Sequence, residues 1–149
     1  MSSRSITHEE TFRVSAEALF ASLVQPSAIR AWWSATNAIV LAEPGGTWCA
    51  TWGGGEDTPD YVTIATIREF EPHRRLVLAD YRYRAKDGPL PFEADFVTEF
   101  LVTPDGAGAR LRVTQAGFPA AEEADAFFAG CAQGWRDTFA GLQRFHGGG

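Results

Sequence analysis

The side chains best suited to metal or nucleophilic chemistry are few and scattered in this sequence. The three histidines, His8, His73 and His146, lie far apart, and none has a partner at the spacing of a metal-ligand pair. Cys49 and Cys131 occur in apolar surroundings, where a thiol is inert unless its pKa is lowered. The sequence therefore predicts no metal site and no cofactor, and it favours two free, buried thiols over a disulfide.

Carboxylates inside strand patterns are the remaining candidates for general acid–base chemistry. An acid that pointed into an apolar cavity would have a raised pKa and could transfer a proton at neutral pH. Asp95 and Glu99 alternate with phenylalanines, which predicts that they face solvent. Asp80 alternates with Leu76 and Leu78, which would place it on the same face of the strand as these leucines, whereas Tyr81 and Tyr83 would lie on the other face. Asp80 is therefore the one candidate cavity acid. No serine-nucleophile elbow or phosphate-binding glycine motif occurs, and no catalytic residue is assigned.

Aromatic side chains are in excess, at 13% of the 149 residues with five Trp, three Tyr and eleven Phe. Such rings are stiff and carry large apolar area, so they suit a protein core and the wall of a ligand site equally well. Trp32 and Trp33 are adjacent, and neighbouring side chains on a helix point in different directions. The spacing from Ala28 and Ile29 places Trp32 in the core and leaves Trp33 to face a cavity.

Composition limits the classes of partner. The net charge of −6 and the pI near 5.0 disfavour nucleic acid and anionic membrane surfaces, because an acidic chain repels phosphate groups. No apolar run approaches the roughly 18 residues of a membrane span, and the polar N-terminus lacks the apolar segment of a signal peptide. We therefore expect one cytoplasmic domain over residues 1–149.

The order of predicted elements is one strand, two short helices, about six strands and one long helix. Ser15 is the expected N-cap of the first helix, and Pro26 suits the first turn of the second, which reaches about Trp33. Alternating patterns predict strands at 6–14, 38–41, 47–52, 61–70, 76–83 and 94–103, and a last strand that includes 111–115. Sequential hairpins of this kind predict an antiparallel sheet.

The long C-terminal helix carries an apolar stripe from Ala124 to Phe145 at helical spacing. A long helix laid across a strongly curved sheet buries such a stripe economically, which predicts an α+β fold with the short helices closing one end. Gly130, Gly134 and Gly141 interrupt this helix, and each costs about 1 kcal/mol relative to alanine. They imply either a close approach of the sheet or room left for a ligand.

Six short motifs, in the same order along the chain, resemble those of one superfamily. They are FRVSAEALF at 12–20, AWW at 31–33, PGGTW at 44–48, FEPHRRLV at 70–77, GFP at 117–119, and GW at 134–135 with Leu142. In this respect the sequence resembles the START-like (SRPBCC, helix-grip) superfamily, and within it the activator of heat-shock protein 90 ATPase homologue family. The resemblance implies a helix-grip fold, with a curved antiparallel sheet of six or seven strands around the long helix.

The resemblance also implies a cavity between this helix and the sheet that binds a small hydrophobic or aromatic molecule. Mapped onto this sequence, the expected lining residues are Trp33, Trp48, Trp52, Tyr81, Phe96, Phe100, Phe118, Phe128 and Trp135. One alternative is a cavity enzyme of the polyketide cyclase or hydrolase kind that uses Asp80. A second alternative is a chaperone-partner module, although the eukaryotic activators pair this domain with a separate N-terminal domain. An open sheet edge would be compatible with a homodimer.

Overall fold

The structure, a computed structural model, describes residues 3–55 and 57–147. In chain order the elements are β1 (Ser3–Phe12), α1 (Ala16–Val24), α2 (Pro26–Trp32), β2 (Asn37–Val40), β3 (Thr47–Trp52), β4 (Tyr61–Glu71), β5 (Arg75–Ala85), β6 (Val97–Asp105), β7 (Gly108–Pro119), a 3₁₀ turn (Glu122–Ala124) and α3 (Asp125–Phe145). The strands form one curved antiparallel sheet in the order β1-β7-β6-β5-β4-β3-β2, with α3 across it. The predicted helix-grip α+β fold is confirmed.

Local chemistry explains where the short helices begin. The Ser15 hydroxyl accepts a hydrogen bond from the backbone N–H of Ala18 at 3.1 Å, which satisfies one of the free donors at the start of α1. Pro26 occupies the first turn of α2, where its missing N–H costs nothing. Both helices contact the sheet, and α2 also packs against α3, so together they close one end of the fold.

The inward faces of β3 and β6 follow simple alternation. On β3, Trp48 and Ala50 are buried, and on β6, Thr98, Phe100 and Val102 are buried. Except for Thr98, these side chains join residues of α1, α2 and the C-terminal half of α3 in the main core. None of the helices in the described residues is long and apolar enough to cross a membrane.

A β-bulge in β5 overturns the prediction that Asp80 is a cavity acid. The ladder between β4 and β5 shifts register, because Ile64 pairs with Arg82 whereas Thr66 pairs with Ala79. Asp80 adopts a positive φ of 53° and is exposed to solvent. The extra residue reverses the alternation along β5. The next side chain after Leu78 that faces the cavity is therefore Tyr81 and not Asp80.

The other acids predicted on the solvent face do lie outside the cavity. Asp95 is exposed, and Glu99 accepts a hydrogen bond at 2.6 Å from Nε of Arg75 on the neighbouring strand. This contact raises the pKa of Arg75 above its ordinary range, since the bonded carboxylate favours the charged guanidinium. The pair therefore belongs to the outer face of the sheet.

Candidate ligand-binding cavity

A cavity of about 270 Å³ lies between α3 and the inner face of the sheet. Strands β3 to β7, the end of α2, the loop after β5 and the N-terminal half of α3 all contribute to its wall. The residues that line it are Trp33, Trp48, Trp52, Thr63, Leu78, Tyr81, Tyr83, Leu90, Phe96, Thr98, Phe100, Gln115, Phe127, Cys131, Gly134, Trp135 and Thr138. Most are aromatic or aliphatic, as is usual for sites that bind small molecules.

Seven of the nine expected lining residues lie on this wall: Trp33, Trp48, Trp52, Tyr81, Phe96, Phe100 and Trp135. The expectation for the other two, Phe118 and Phe128, is wrong. Phe118 is fully buried in a second apolar cluster, with its ring centroid 4.9 Å from that of Phe96 and 5.0 Å from that of Phe128. The guanidinium of Arg4 covers the Phe128 ring at 4.6 Å from its centroid.

Two local features explain these misplacements. One residue along a helix turns the side chain by about 100°, so Phe127 lines the cavity and Phe128 does not. On β7 the pairing skips Gly117, because Arg4 pairs with Phe118 and Ser5 pairs with Ala116. Gly117 has a φ of +98°, and the bulge turns Phe118 to the same face of the sheet as Gln115, where it packs with Ile6 and Phe96 in the second apolar cluster instead of lining the cavity.

Trp32 lies in the core and Trp33 borders the cavity, which is the difference that their adjacent positions in the chain predict. Trp32 is only 6% exposed, and its indole N–H donates to the carbonyl oxygen of Ser22 at 2.8 Å. Trp33 stacks on it with ring centroids 4.8 Å apart and borders the cavity. The carbonyl oxygen of Trp33 accepts the indole N–H of Trp52 at 3.0 Å, which ties the end of α2 to the end of β3.

Trp33 is the centre of an aromatic cluster on one side of the cavity. Its ring centroid lies 5.6 Å from that of Trp48, 5.6 Å from that of Trp52 and 6.0 Å from that of Trp135. The planes are tilted or perpendicular to that of Trp33, which is the arrangement that aromatic quadrupoles favour. The cluster therefore joins three elements around the cavity, namely the end of α2, β3 and α3.

Sequence reasoning missed several lining residues that share one face of α3. Phe127, Cys131, Gly134 and Thr138 are spaced by four, three and four residues, so the helical repeat brings them together on the wall. That spacing is a usable signal, but the prediction considered aromatic residues, so on α3 it selected Trp135 and Phe128 and treated Gly134 only as possible room for a ligand. Leu90, in the loop after β5, follows no periodic pattern and had no signal in the sequence.

The wall carries no charge among the described residues. It contains no Asp, Glu, Lys, Arg or His. Burial raises the pKa of the Cys131 thiol to about 11, so this thiol is protonated at neutral pH and is a poor nucleophile. Burial also raises the pKa of Tyr81, which keeps its hydroxyl neutral. The cavity is therefore suited to binding a neutral molecule rather than to proton transfer.

The histidines lie outside the cavity. His8 forms a 2.6 Å contact with Glu10, and His146 lies 3.3 Å from the hydroxyl of Ser22, where burial lowers the pKa of the imidazole. In the part of the chain that the structure describes, no three His, Cys, Asp or Glu side chains come together in a way that could hold a metal ion. Both cysteines are free thiols.

Comparisons with known proteins agree with this geometry. The family model described as "Activator of Hsp90 ATPase homolog 1-like protein" matches residues 13–147. No curated protein matches the sequence.

Solved structures with the same fold cover almost the whole chain. Protein MLL2253 from Mesorhizobium loti is 23% identical, with a TM-score of 0.76 over 95% of this chain and 96% of its own. A protein from Rhizobium leguminosarum is 15% identical, with a TM-score of 0.76 over 99% of this chain and 97% of its own. CalU16 from Micromonospora echinospora is 17% identical, with a TM-score of 0.69 over 97% of this chain and 76% of its own.

Proposed function

Because the chain belongs to the family of activator of Hsp90 ATPase homolog 1-like proteins, we propose a function that its helix-grip fold can carry. The protein binds a small, neutral, aromatic or hydrophobic molecule in the cavity between α3 and the sheet. The observation that supports this proposal is the wall itself, which is rich in tryptophan and phenylalanine and carries no charged side chain among the described residues.

The size of the cavity sets the size of the ligand. An apolar cavity of roughly 150 Å³ is large enough to bind benzene, so about 270 Å³ leaves room for a larger, ring-sized molecule. Burial of such a ligand would gain roughly 25 cal/mol for each Å² of apolar surface removed from water. The flat rings of Trp33, Trp48 and Trp135 suit stacked or edge-on contact with an aromatic ligand.

Gly134 supports the same proposal. A Cβ atom placed on Gly134 would meet no atom within 4 Å apart from its chain neighbours and the nearby backbone of its own helix, and this residue lies on the cavity wall. Glycine destabilises the helix by about 1 kcal/mol relative to alanine, and here it does so at a point where no other part of the protein fills the space. That cost is understandable if the space is used by a ligand.

Binding is favoured over acid–base catalysis by the chemistry of the wall. A general acid or base must titrate near the working pH and reach the reacting atom. Asp80 is exposed, and burial raises the pKa of both the Cys131 thiol and the Tyr81 hydroxyl away from neutrality. These features support storage, transfer or sensing of the ligand.

Titration of wild-type protein with the bicyclic probe tetralin tests the proposal, with tryptophan fluorescence and calorimetry as readouts. We expect saturable binding, and we expect Gly134→Leu to weaken it by at least about tenfold because the new side chain fills the cavity. Gly130→Leu is the matched control, since Gly130 also has open space around it but lies on the exposed side of α3. Equal affinity of the Gly134→Leu variant and the wild type would contradict the proposal.

A further inference from the structure

One patch of the cavity wall is polar although it carries no charge. The Tyr81 hydroxyl donates to Oγ1 of Thr98 at 2.7 Å, and the indole N–H of Trp135 donates to Oε1 of Gln115 at 2.7 Å. Thr98 and Gln115 are direct partners across β6 and β7, so the two hydrogen-bonded pairs lie side by side. A few convergent polar groups in an otherwise apolar pocket are the usual means of orienting a ligand.

The partner of Gln115 determines which way its amide points. An indole N–H can only donate, so the group that faces Trp135 must be the amide oxygen, and the NH₂ group is left to face elsewhere. No acceptor for Nε2 of Gln115 is found within residues 3–55 and 57–147. Thr51 Oγ1 is the only fully buried side-chain polar atom without a partner in these ranges, so Nε2 keeps accessible surface. Gln115 therefore offers two N–H donors at the cavity.

Trp33 adds a further donor. Four of the five indole N–H groups have acceptors: Trp32 donates to Ser22, Trp48 to Leu23, Trp52 to Trp33 and Trp135 to Gln115. No acceptor for the indole N–H of Trp33 is found in the described part of the chain, although Trp33 borders the cavity. The hydroxyl groups of Thr63, Thr138 and Tyr83 can either donate or accept, so they favour neither polarity.

The nitrogen atoms of the wall therefore leave three N–H donors unused, on Gln115 and Trp33, and this bias toward donors remains when the lone pairs of Tyr81 Oη and Gln115 Oε1 are set against the hydroxyl hydrogen of Thr98. A ligand that presents an oxygen acceptor gains from this bias, whereas a hydrocarbon does not. A carboxylate also accepts hydrogen bonds, but it would lie in an apolar cavity without a counter-charge, which is costly. We propose that the ligand is a neutral aromatic ketone or quinone, or a similar carbonyl compound, and that Gln115 is a specificity-determining residue that donates to its carbonyl oxygen. This inference rests on the proposed function.

The test compares 1-tetralone with tetralin, which differ by a carbonyl in place of a methylene group. The readout is the ratio of their dissociation constants, because differences in the solvation of the free probes cancel when this ratio is compared between variants. We expect Gln115→Met to weaken the binding of 1-tetralone relative to that of tetralin by about tenfold, which corresponds to the loss of one good hydrogen bond. Trp135→Phe removes the group that fixes the orientation of the amide but leaves its N–H donors in place, so its ratio should shift in the same direction by less than that of Gln115→Met.

An infrared measurement on the wild type tests the inference without any variant. The stretch of a carbon-13-labelled carbonyl of bound 1-tetralone should lie at a lower wavenumber than in an alkane solvent, because a donor weakens the C=O bond. An unshifted stretch, or a ratio that Gln115→Met leaves within about twofold of the wild type, would overturn the donor role while both probes still bind. Failure of both probes to bind would overturn the proposed function as well.

Discussion

The two halves of helix α3 pack in opposite ways. The C-terminal half lies against a filled core, where Phe139 and Leu142 are fully buried. The N-terminal half borders the cavity, where Cys131 and Trp135 are only half-buried. One helix thus serves as a structural support at one end and as the wall of a binding site at the other.

Gly134 and Gly141 show this difference most clearly, because they are seven residues apart on the same face of α3. A Cβ atom on Gly141 would lie 2.7 Å from the carbonyl oxygen of Trp32, so this glycine permits close contact between α3 and α2. A Cβ atom on Gly134 would meet nothing within 4 Å outside its own helix. Gly141 thus serves a close approach, although to a helix and not to the sheet, whereas Gly134 leaves open space on the cavity wall.

The largest difference in stability is expected between alanine variants of two adjacent tryptophans, Trp32 beside the filled core and Trp33 beside the cavity. Trp32→Ala should lower the free energy of unfolding by about 3–5 kcal/mol, because it opens a void in the core and leaves the carbonyl of Ser22 without its donor. Trp33→Ala should cost about 1–2 kcal/mol, since its ring already borders open space, and should weaken tetralin binding more strongly. Denaturant unfolding and calorimetry measure the two quantities. Equal losses of stability would show that both rings are merely core.

Alanine variants of Gly141 and Gly134 should give the next largest difference in stability, because the two substitutions are expected to change it in opposite directions. Gly141→Ala should destabilise the protein by about 1–3 kcal/mol, because the methyl group collides with backbone rather than with a flexible side chain. Gly134→Ala should raise stability by up to about 1 kcal/mol through helix propensity alone. Gly130→Ala is the control for propensity, since it has equal space outside the cavity. A lower melting temperature for the Gly134→Ala variant than for the Gly141→Ala variant would contradict this prediction.

The smallest effect should come from the thiol on the cavity side of α3. Burial raises the pKa of Cys131 from its ordinary 9.0 to about 11, so the folded state disfavours the thiolate. The stability that depends on the neutral thiol is fully present below about pH 9 and is lost as the pH rises toward 11. Cys131→Ala should therefore lose less stability than the wild type between pH 8 and pH 10.5.

Urea unfolding at the two pH values measures this difference in stability. Cys49→Ala is the comparison variant, since burial also raises the pKa of that thiol although it lies outside the cavity. An unchanged pH dependence in the Cys131→Ala variant would mean that this thiol titrates as an exposed one.

Much of the architecture followed from local patterns. Alternation in β3 identified the inward residues Trp48 and Ala50, and helical spacing identified the buried stripe that includes Phe139 and Leu142. The cap at Ser15 and the proline at the start of α2 also occur where their chemistry requires. Such features depend on neighbouring residues in the chain, so a sequence carries enough information to predict them.

The error at Asp80 has a clear cause, which is a change of phase in the strand that simple alternation does not register. The bulges at Asp80 in β5 and at Gly117 in β7 each reverse which side chains face inward. Asp80 was consequently placed in the cavity, whereas Phe118 and Phe128 were placed on its wall by the resemblance to the family and not by alternation. A positive φ at an aspartate or a glycine is compatible with many turns, so neither residue type announces a bulge by itself.

The sequence by itself determined the order of elements, the inward faces of the regular strands and the apolar stripe of α3, because hydrophobic periodicity is a local property. Only the tertiary structure decided that Gly134 faces open space while Gly141 touches α2, and that the indole of Trp135 faces the amide oxygen of Gln115. Those outcomes depend on which atoms lie opposite each residue. That information comes from segments distant in the chain, and no pattern along one segment contains it.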